Sequence, residues 1–168
     1  MSEQPATMLP QHCAYLSARA VPPEVASAAG RRSVSGAEAA ALLGRSGALP
    51  CGGLAIPYAG VEPLYVRVRL DEPLDGARFL APAGREVPVY VPEVEVLGAS
   101  STLHVVEGPI KALALAAVGL AAVGLGGTGT CLVDKGGHRS LNQSWERVEL
   151  AGRSVTVVFD AGRRTNAN

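Results

Sequence analysis

Residues 103–115 read Leu-His-Val-Val-Glu-Gly-Pro-Ile-Lys-Ala-Leu-Ala-Leu, and residues 119–127 read Gly-Leu-Ala-Ala-Val-Gly-Leu-Gly-Gly. The apolar run at residues 103–106 predicts a short buried strand. Pro109 at a first helical position predicts a helix over residues 110–118, which Gly119 ends. A second apolar run follows the helix. The whole stretch is therefore typical of a β-α-β unit, in which a helix connects two strands of a parallel sheet.

Two carboxylates follow predicted strands directly. Glu107 follows the first strand, and Asp160 follows a third predicted strand at residues 154–159. In open parallel sheets, ligands bind at the edge formed by the carboxyl ends of the strands. A carboxylate at a buried strand end needs a cation or hydrogen bonds to offset its desolvation, and Mg²⁺ prefers such oxygen ligands. The two acids predict a Mg²⁺ (or Mn²⁺) site, unless each acid only caps the turn that follows it.

The first half of the chain predicts short helices and then an antiparallel hairpin. Ser35 and Glu38 form a capping-box pattern that starts one of the helices. Alternation in residues 64–70 places Tyr65, Arg67 and Arg69 on one face of a strand. The other predicted elements are helices within residues 11–29 and strands at residues 54–58, 78–80 and 87–91. We expect a helical segment over residues 1–50, a β-rich subdomain over 51–98 and an α/β subdomain over 99–168.

Composition limits the function classes. The 168 residues suit one domain or two small lobes, and 48% hydrophobic content supplies enough apolar surface for a core. A formal net charge of zero gives no global support for nucleic-acid binding. Three widely spaced cysteines without a Cys-x-x-Cys pair argue against a zinc ribbon and favour a reduced, cytoplasmic protein. Residues 112–133 lack charge, but their many alanines and glycines favour a buried β-α-β element over a membrane span.

The Glu-Gly segment at residues 107–108, in its strand-helix-strand setting, resembles the first motif of TOPRIM domains. These domains occur in DnaG-type primases, topoisomerases and phage primase-helicases. Residues 157–160, Val-Val-Phe-Asp, resemble the later strand that ends in the family's Asp-x-Asp. Residues 53–58, 66–69 and 78–80 are similar to the small β-rich subdomain that precedes TOPRIM in such primases. The resemblance covers residues 11–168 and is greatest to a TOPRIM-associated domain of phage and plasmid replication proteins.

The resemblance implies a set of functional residues. Glu107 would be an acid-base or metal-linked glutamate, and Asp160 would be a ligand of Mg²⁺ (or Mn²⁺). Lys111 stands where many TOPRIM proteins have an acid, although the mobile-element group often has lysine; it also lies one turn beyond Glu107 and could pair with it. The residues implied in binding nucleic acid or nucleotide are Arg67, Arg69, Arg78, Lys111, Gly126 and Gly127. The implied partners are single-stranded DNA, nucleotide triphosphates, and a helicase or a chain that completes the sheet.

The sequence departs from the family pattern at its end. Gly162 replaces the second aspartate of Asp-x-Asp, and the chain stops eight residues after Asp160, before the further helix and strand of a complete TOPRIM fold. We expect an incomplete TOPRIM-like subdomain. Two functions stay open: a primase-type nucleotidyltransferase acting on a single-stranded DNA template in mobile-element replication, or a degenerate TOPRIM module that serves nucleic-acid binding or assembly.

Other motifs in the sequence give weaker support for a function than the resemblance to TOPRIM domains. Residues 124–129 satisfy the G-x-G-x-x-G pattern of dinucleotide sites, but the glycines at 136 and 137 argue against the long helix that should follow. The three histidines lack metal-ligand spacing, and His104 within an apolar strand is expected to be a satisfied core residue. Trp145 is expected to be a packing anchor. No serine or cysteine lies in a nucleophile elbow, so a hydrolase triad has no support.

Overall fold

A computed structural model describes residues 8–92, 100–127, 130 and 132–160 of the protein. These residues belong to two compact units, Met1–Glu86 and Val87–Asn168. The predicted α/β class, with a helical and β-rich first part followed by a parallel sheet, is confirmed.

Over residues 8–86, the first unit contains three short helices and one antiparallel sheet. Its elements are α1 (Pro10–Ser17), α2 (Pro23–Ala28), β1 (Arg32–Val34), α3 (Gly36–Leu42), β2 (Gly53–Tyr58), β3 (Tyr65–Leu74) and β4 (Ala77–Leu80). The strands lie in the order β1-β2-β3-β4. The predicted capping box is present, because the Ser35 hydroxyl accepts from the Glu38 N–H and the Glu38 carboxylate accepts from the Ser35 N–H. This reciprocal pair fixes the start of α3.

Side chains are buried on both faces of this sheet. One face carries Val66, Val68 and Leu70. These side chains pack in a core with Ala39 of α3 and with Leu43, the C-cap residue of α3. The other face pairs Tyr58 with Tyr65, Ile56 with Arg67, and Leu54 with Arg69 in the register of β2 and β3. The tyrosines, Ile56 and Leu54 are all buried, so the face with the arginines is not simply a solvated surface.

The first helix is fastened to that sheet by polar contacts. His12 is only 1% exposed, and its ring nitrogens contact the Ser33 hydroxyl and the Asp71 carboxylate, each at 2.7 Å. The Ser33 oxygen also accepts the Leu9 N–H at 2.7 Å. The His12 tautomer with its proton on Nε2 satisfies all of these hydrogen bonds. The Asp71 carboxylate then accepts the Nε2–H, and the Ser33 hydroxyl donates to Nδ1. This network joins α1 to β1 and β3.

In the residues that the structure describes, the second unit is built on a parallel sheet of three strands. Its elements are β5 (Thr102–Val106), α4 (Pro109–Ala117), β6 (Ala122–Gly124), β7 (Leu132–Lys135), β8 (His138–Leu141), a 3₁₀ helix (Gln143–Arg147) and β9 (Ser154–Val158). The strand order is β6-β5-β9, and both pairings of β5 are parallel. The predicted strand-helix-strand unit is thus confirmed, with Pro109 at the start of α4.

The core of the second unit is apolar and lies on one side of the parallel sheet. Leu103, Val105 and Val123 pack there with Trp145 and Val148. The expectation that Trp145 is a packing anchor is confirmed, because its side chain is buried within this cluster. Helix α4 packs on β5 and β6, and its buried residues include Ile110 and Leu113.

One local prediction is wrong. Residues 87–91 do not form a strand; Tyr90 alone makes an antiparallel bridge, to Gly124. Pro88 has no N–H to donate to a ladder, and the N–H of Val89 is taken by the Ser144 hydroxyl at 2.7 Å. Residues 135–139 lie in the hairpin of β7 and β8, which was not predicted. No helix in the described part of the chain is long and apolar enough to cross a membrane.

Candidate metal and nucleotide site

The candidate site lies at the carboxyl edge of the parallel sheet. Glu107 follows β5 directly, and Asp160 lies two residues beyond the end of β9. Because β5 and β9 are adjacent and parallel, with Val106 paired to Val158, the two acids leave the sheet side by side. The N–H of Asp160 donates to Oε1 of Glu107 at 3.3 Å. The topology therefore brings together the two carboxylates predicted to form a site.

Lys111 joins the two acids. Its Nζ lies 3.0 Å from Oε2 of Glu107 and 2.5 Å from Oδ1 of Asp160. The predicted pairing of Lys111 with Glu107 one helical turn away is confirmed, but the second contact, to Asp160, was not predicted. The side chains differ in accessibility: Glu107 is 20% exposed, Lys111 is 42% exposed and Asp160 is 69% exposed. One ammonium group thus holds a half-buried and an exposed carboxylate.

The contacts of Lys111 with the acids shift the pKa of Lys111 and the pKa of Asp160 in opposite directions. The hydrogen bond and the positive charge of Lys111 lower the pKa of Asp160. Partial burial by itself lowers the pKa of Lys111, but hydrogen bonds to Asp160 and Glu107, and their negative charges, outweigh burial and raise it. The bridge between Lys111 and Asp160 is therefore ionic at neutral pH. It is lost in acid, as the pH falls through the lowered pKa of Asp160, and in alkali, as the pH rises through the raised pKa of Lys111.

Replacing Lys111 with methionine is expected to raise the pKa of Asp160 toward the ordinary aspartate value, because its main hydrogen-bond donor and nearest cation are removed. Carboxyl ¹³C chemical shifts measured across an acid titration would show the change. The carboxyl group of Glu38 is a suitable internal control, because its pKa is lowered by the Ser35 N–H and hydroxyl. A pKa of Asp160 that stays the same in the variant would contradict the contact to Lys111.

The donor set fits a divalent cation of the magnesium type. Two carboxylate groups, one following β5 and one following β9, converge on a single cationic group. In the part of the chain that the structure describes, no group of three or more His, Cys, Asp and Glu residues could hold a metal ion. Mg²⁺ commonly binds through one or two carboxylates and completes its shell with waters and substrate phosphates. Glu107 and Asp160 would be its protein ligands here.

The glycines of this edge have separate structural roles. Gly126 and Gly127, which the resemblance implies in nucleotide binding, lie just beyond β6 at the edge where Glu107 and Asp160 also lie. Gly127 has a φ of 136°, and its carbonyl accepts from the Thr130 hydroxyl at 2.8 Å. Gly124 is different: a Cβ there would lie 2.7 Å from the backbone of Gly108. Sequence reasoning missed this role, although a glycine inside a strand often marks a close backbone approach.

The three arginines implied in phosphate contact lie in the first unit. Arg67 is half-buried, with its guanidinium 5.4 Å from the centre of the Phe79 ring. Arg69 is also half-buried, stacked 3.8 Å from the centre of the Tyr15 ring. Arg78 is exposed and donates to the carbonyl of Asp71 at 3.4 Å. Of the three, Arg78 presents the most accessible charge, and its role in phosphate binding stays a prediction.

The remaining motifs do not form a second site. The G-x-G-x-x-G pattern at residues 124–129 is followed by the hairpin of β7 and β8, so the helix that a dinucleotide site needs is missing from the described residues 132–141. His104 is half-buried, so it is not the core residue that was expected, but its Nδ1–H donates to the carbonyl of Ala121 at 3.0 Å. Gly162, which replaces the second aspartate of Asp-x-Asp, lies outside the described residues.

Comparison with known proteins extends this description. Residues 96–168 match a family described as a domain of unknown function, DUF3854. No sequence among the curated proteins matches the chain. Among solved structures, the chain is similar to the crystal structure of the Aquifex aeolicus primase, which contains zinc-binding and RNA polymerase domains. The two share 15% sequence identity with a TM-score of 0.59. The similarity covers 93% of this chain and 45% of that one. The chain therefore has a primase-like fold and spans about half the length of that primase chain.

Proposed function

We propose that this chain is a TOPRIM-type, primase-like nucleotidyltransferase domain that acts on single-stranded DNA and nucleotide triphosphates. Its setting would be the cytoplasmic replication of a phage, plasmid or similar mobile element. The observation that carries the proposal is the meeting of Glu107 and Asp160 at the carboxyl edge of the parallel sheet. The similarity of fold to a primase supports it, because the chain shares that architecture along nearly its whole length.

The residues of this edge would position a nucleotide for transfer. Glu107 and Asp160 would hold Mg²⁺ (or Mn²⁺), which when bound supplies charge neutralisation at the reacting phosphate. Lys111 adds a cation beside them. Gly126 and Gly127 lie at the same edge and would contact the nucleotide, as the resemblance to TOPRIM domains implies. The rate enhancement expected from such a site comes from positioning and electrostatics.

The first unit would bind the template strand. Arg78 is exposed and is the best placed of the three predicted arginines to meet a phosphate, while Arg67 and Arg69 are partly engaged with aromatic rings. Contacts to phosphate would carry no sequence preference, and their loss would weaken binding mainly at low salt. A helicase, or a chain that completes the sheet, would be the further partner.

A titration with Mn²⁺ tests the site. The purified chain is expected to bind Mn²⁺ saturably, and Glu107→Gln and Asp160→Asn should each weaken binding by about tenfold or more, because each removes one of two charged ligands. Electron paramagnetic resonance of free Mn²⁺ measures the binding. Primer synthesis on single-stranded DNA with nucleotide triphosphates should fall in the same two variants.

A matched variant makes this test specific. Glu149→Gln removes the same charge from an exposed position of the same unit and should leave Mn²⁺ affinity within about twofold of the unaltered chain. If Glu107→Gln and Glu149→Gln weaken binding equally, Mn²⁺ is responding to net charge, and the proposed site is wrong.

One observation favours a second candidate function. Asp160-Ala-Gly162 supplies one carboxylate where the TOPRIM pattern has two, and the described residues contain no larger group of metal ligands. A TOPRIM-derived module with incomplete metal chemistry would serve nucleic-acid binding or assembly of a replication protein. Template binding that is unaffected by Glu107→Gln, together with an absence of primer synthesis in the unaltered chain, would support this second function.

A further inference from the structure

We propose that Lys111 is a built-in competitor of the divalent cation: its ammonium group holds Glu107 and Asp160 in the absence of metal, and metal binding displaces it. This inference rests on the proposed metal site and adds the element that sets the affinity of that site. It starts from the position of Nζ, within hydrogen-bond distance of a carboxylate oxygen of each acid. A metal ion bound to the same two carboxylate oxygens would need the space that the ammonium group takes. The metal ion and the ammonium group therefore exclude each other.

The accessibility of the three side chains makes exchange feasible. Lys111 is 42% exposed and Asp160 is 69% exposed, so the ammonium group can leave without opening the core. The lysine side chain has a flexible four-carbon stem, and its charge is not confined to a plane as in arginine. The base of Lys111 is nonetheless fixed, because α4 begins at Pro109 and packs on β5 and β6. The ammonium therefore stays near the site after it is displaced.

The net charge of Glu107, Asp160 and Lys111 favours exchange of the ammonium group for a divalent cation. Two carboxylates and one ammonium group leave the cluster with one uncompensated negative charge, so it continues to attract cations. A divalent cation between Glu107 and Asp160 neutralises both acids fully. The released ammonium then adds a positive charge beside a neutral centre, which suits a polyanionic ligand such as a triphosphate. The lysine thus weakens binding of the bare metal ion while favouring a metal ion that arrives with phosphate.

The experiment compares Mn²⁺ affinity in four chains. Lys111→Met and Lys111→Gln remove the ammonium group at a half-buried helical position where both new residues are good helix formers. Each is expected to bind Mn²⁺ about tenfold more tightly than the unaltered chain, because two ionic contacts no longer have to be broken. Arg139→Gln removes a positive charge from an exposed position in β8 and should change the affinity by less than about twofold.

A second readout follows the lysine itself. Addition of diamagnetic Mg²⁺ to the unaltered chain should shift the ¹³Cε resonance of Lys111 as its ammonium group leaves the acids, and Glu107→Gln should reduce that shift. Equal Mn²⁺ affinity in all four chains, or weaker binding in the Lys111 variants, would overturn the competitor role and leave the proposed metal site standing. Failure of every chain to bind Mn²⁺ would instead overturn the metal site and this inference together.

Discussion

Replacing His12 with alanine is expected to lower the free energy of unfolding of the first unit by about 2–4 kcal/mol. The side chain is buried, and both ring nitrogens are used, one with Ser33 and one with Asp71. Alanine would leave the Asp71 carboxylate and the Ser33 hydroxyl without their partner and would open a cavity in place of the imidazole ring. Each of these effects is costly because the groups cannot regain full hydration.

The neighbouring Gln11 provides a control for this substitution. Gln11 lies in the same helix but is exposed, so Gln11→Ala should change stability by less than about 0.5 kcal/mol. Native-state hydrogen exchange of β2 and β3 amides measures the effect in the first unit, whereas the single tryptophan, Trp145, lies in the second unit. Similar exchange rates in His12→Ala and Gln11→Ala would show that the buried network contributes little.

Replacing Gly124 with alanine is expected to destabilise the second unit by about 2–3 kcal/mol. An added Cβ would lie 2.7 Å from both the carbonyl carbon and the oxygen of Gly108, and 2.9 Å from the nitrogen of Pro109. All three are backbone atoms, so no side chain can rotate away. The strand β6 or the start of α4 must move, and a movement of α4 also displaces Glu107 and Lys111.

Gly108 makes a matched control for Gly124, since the backbones of the two glycines are close together and each variant adds the same methyl group. A Cβ on Gly108 would meet only the carbonyl of Leu125 at 3.9 Å, an ordinary contact, and its backbone is extended. Gly108→Ala should therefore cost less than about 1 kcal/mol. Fluorescence of Trp145 during urea unfolding reports both variants, because this residue packs with Val123 in the same core. Equal losses in the two variants would contradict the proposed close approach.

Several features of the fold could be predicted because they depend on local sequence. Pro109 and Gly119 mark the ends of α4, and Ser35 with Glu38 marks the start of α3. The meeting of Glu107 and Asp160 followed from one general rule, that parallel strands place their carboxyl ends at a common edge. The strand-helix-strand pattern predicts a parallel sheet, and a third strand that joins this sheet in the same direction brings Asp160 to the edge where Glu107 lies.

Contacts between distant residues could not be predicted in the same way. His12 and Asp71 are separated by 59 positions, and neither residue type indicates a partner in advance. The second contact of Lys111, to Asp160, depends on the side-by-side exit of two strands and on the reach of one flexible side chain. Residues 87–91 have an apolar composition that suits a strand, but Pro88 and the Ser144 hydroxyl remove the donors that pairing would use.

The parallel pairing of β5 with β9 has a consequence for how the protein reaches its folded state. Glu107 and Lys111 are one helical turn apart and can meet as soon as α4 forms, whereas Glu107 and Asp160 are separated by 53 positions. Closing so long a loop costs entropy before any contact compensates for it, and pairings of high contact order form slowly. The contact between Glu107 and Lys111 is thus expected to form early in folding, and Asp160 is expected to join it only when β9 docks.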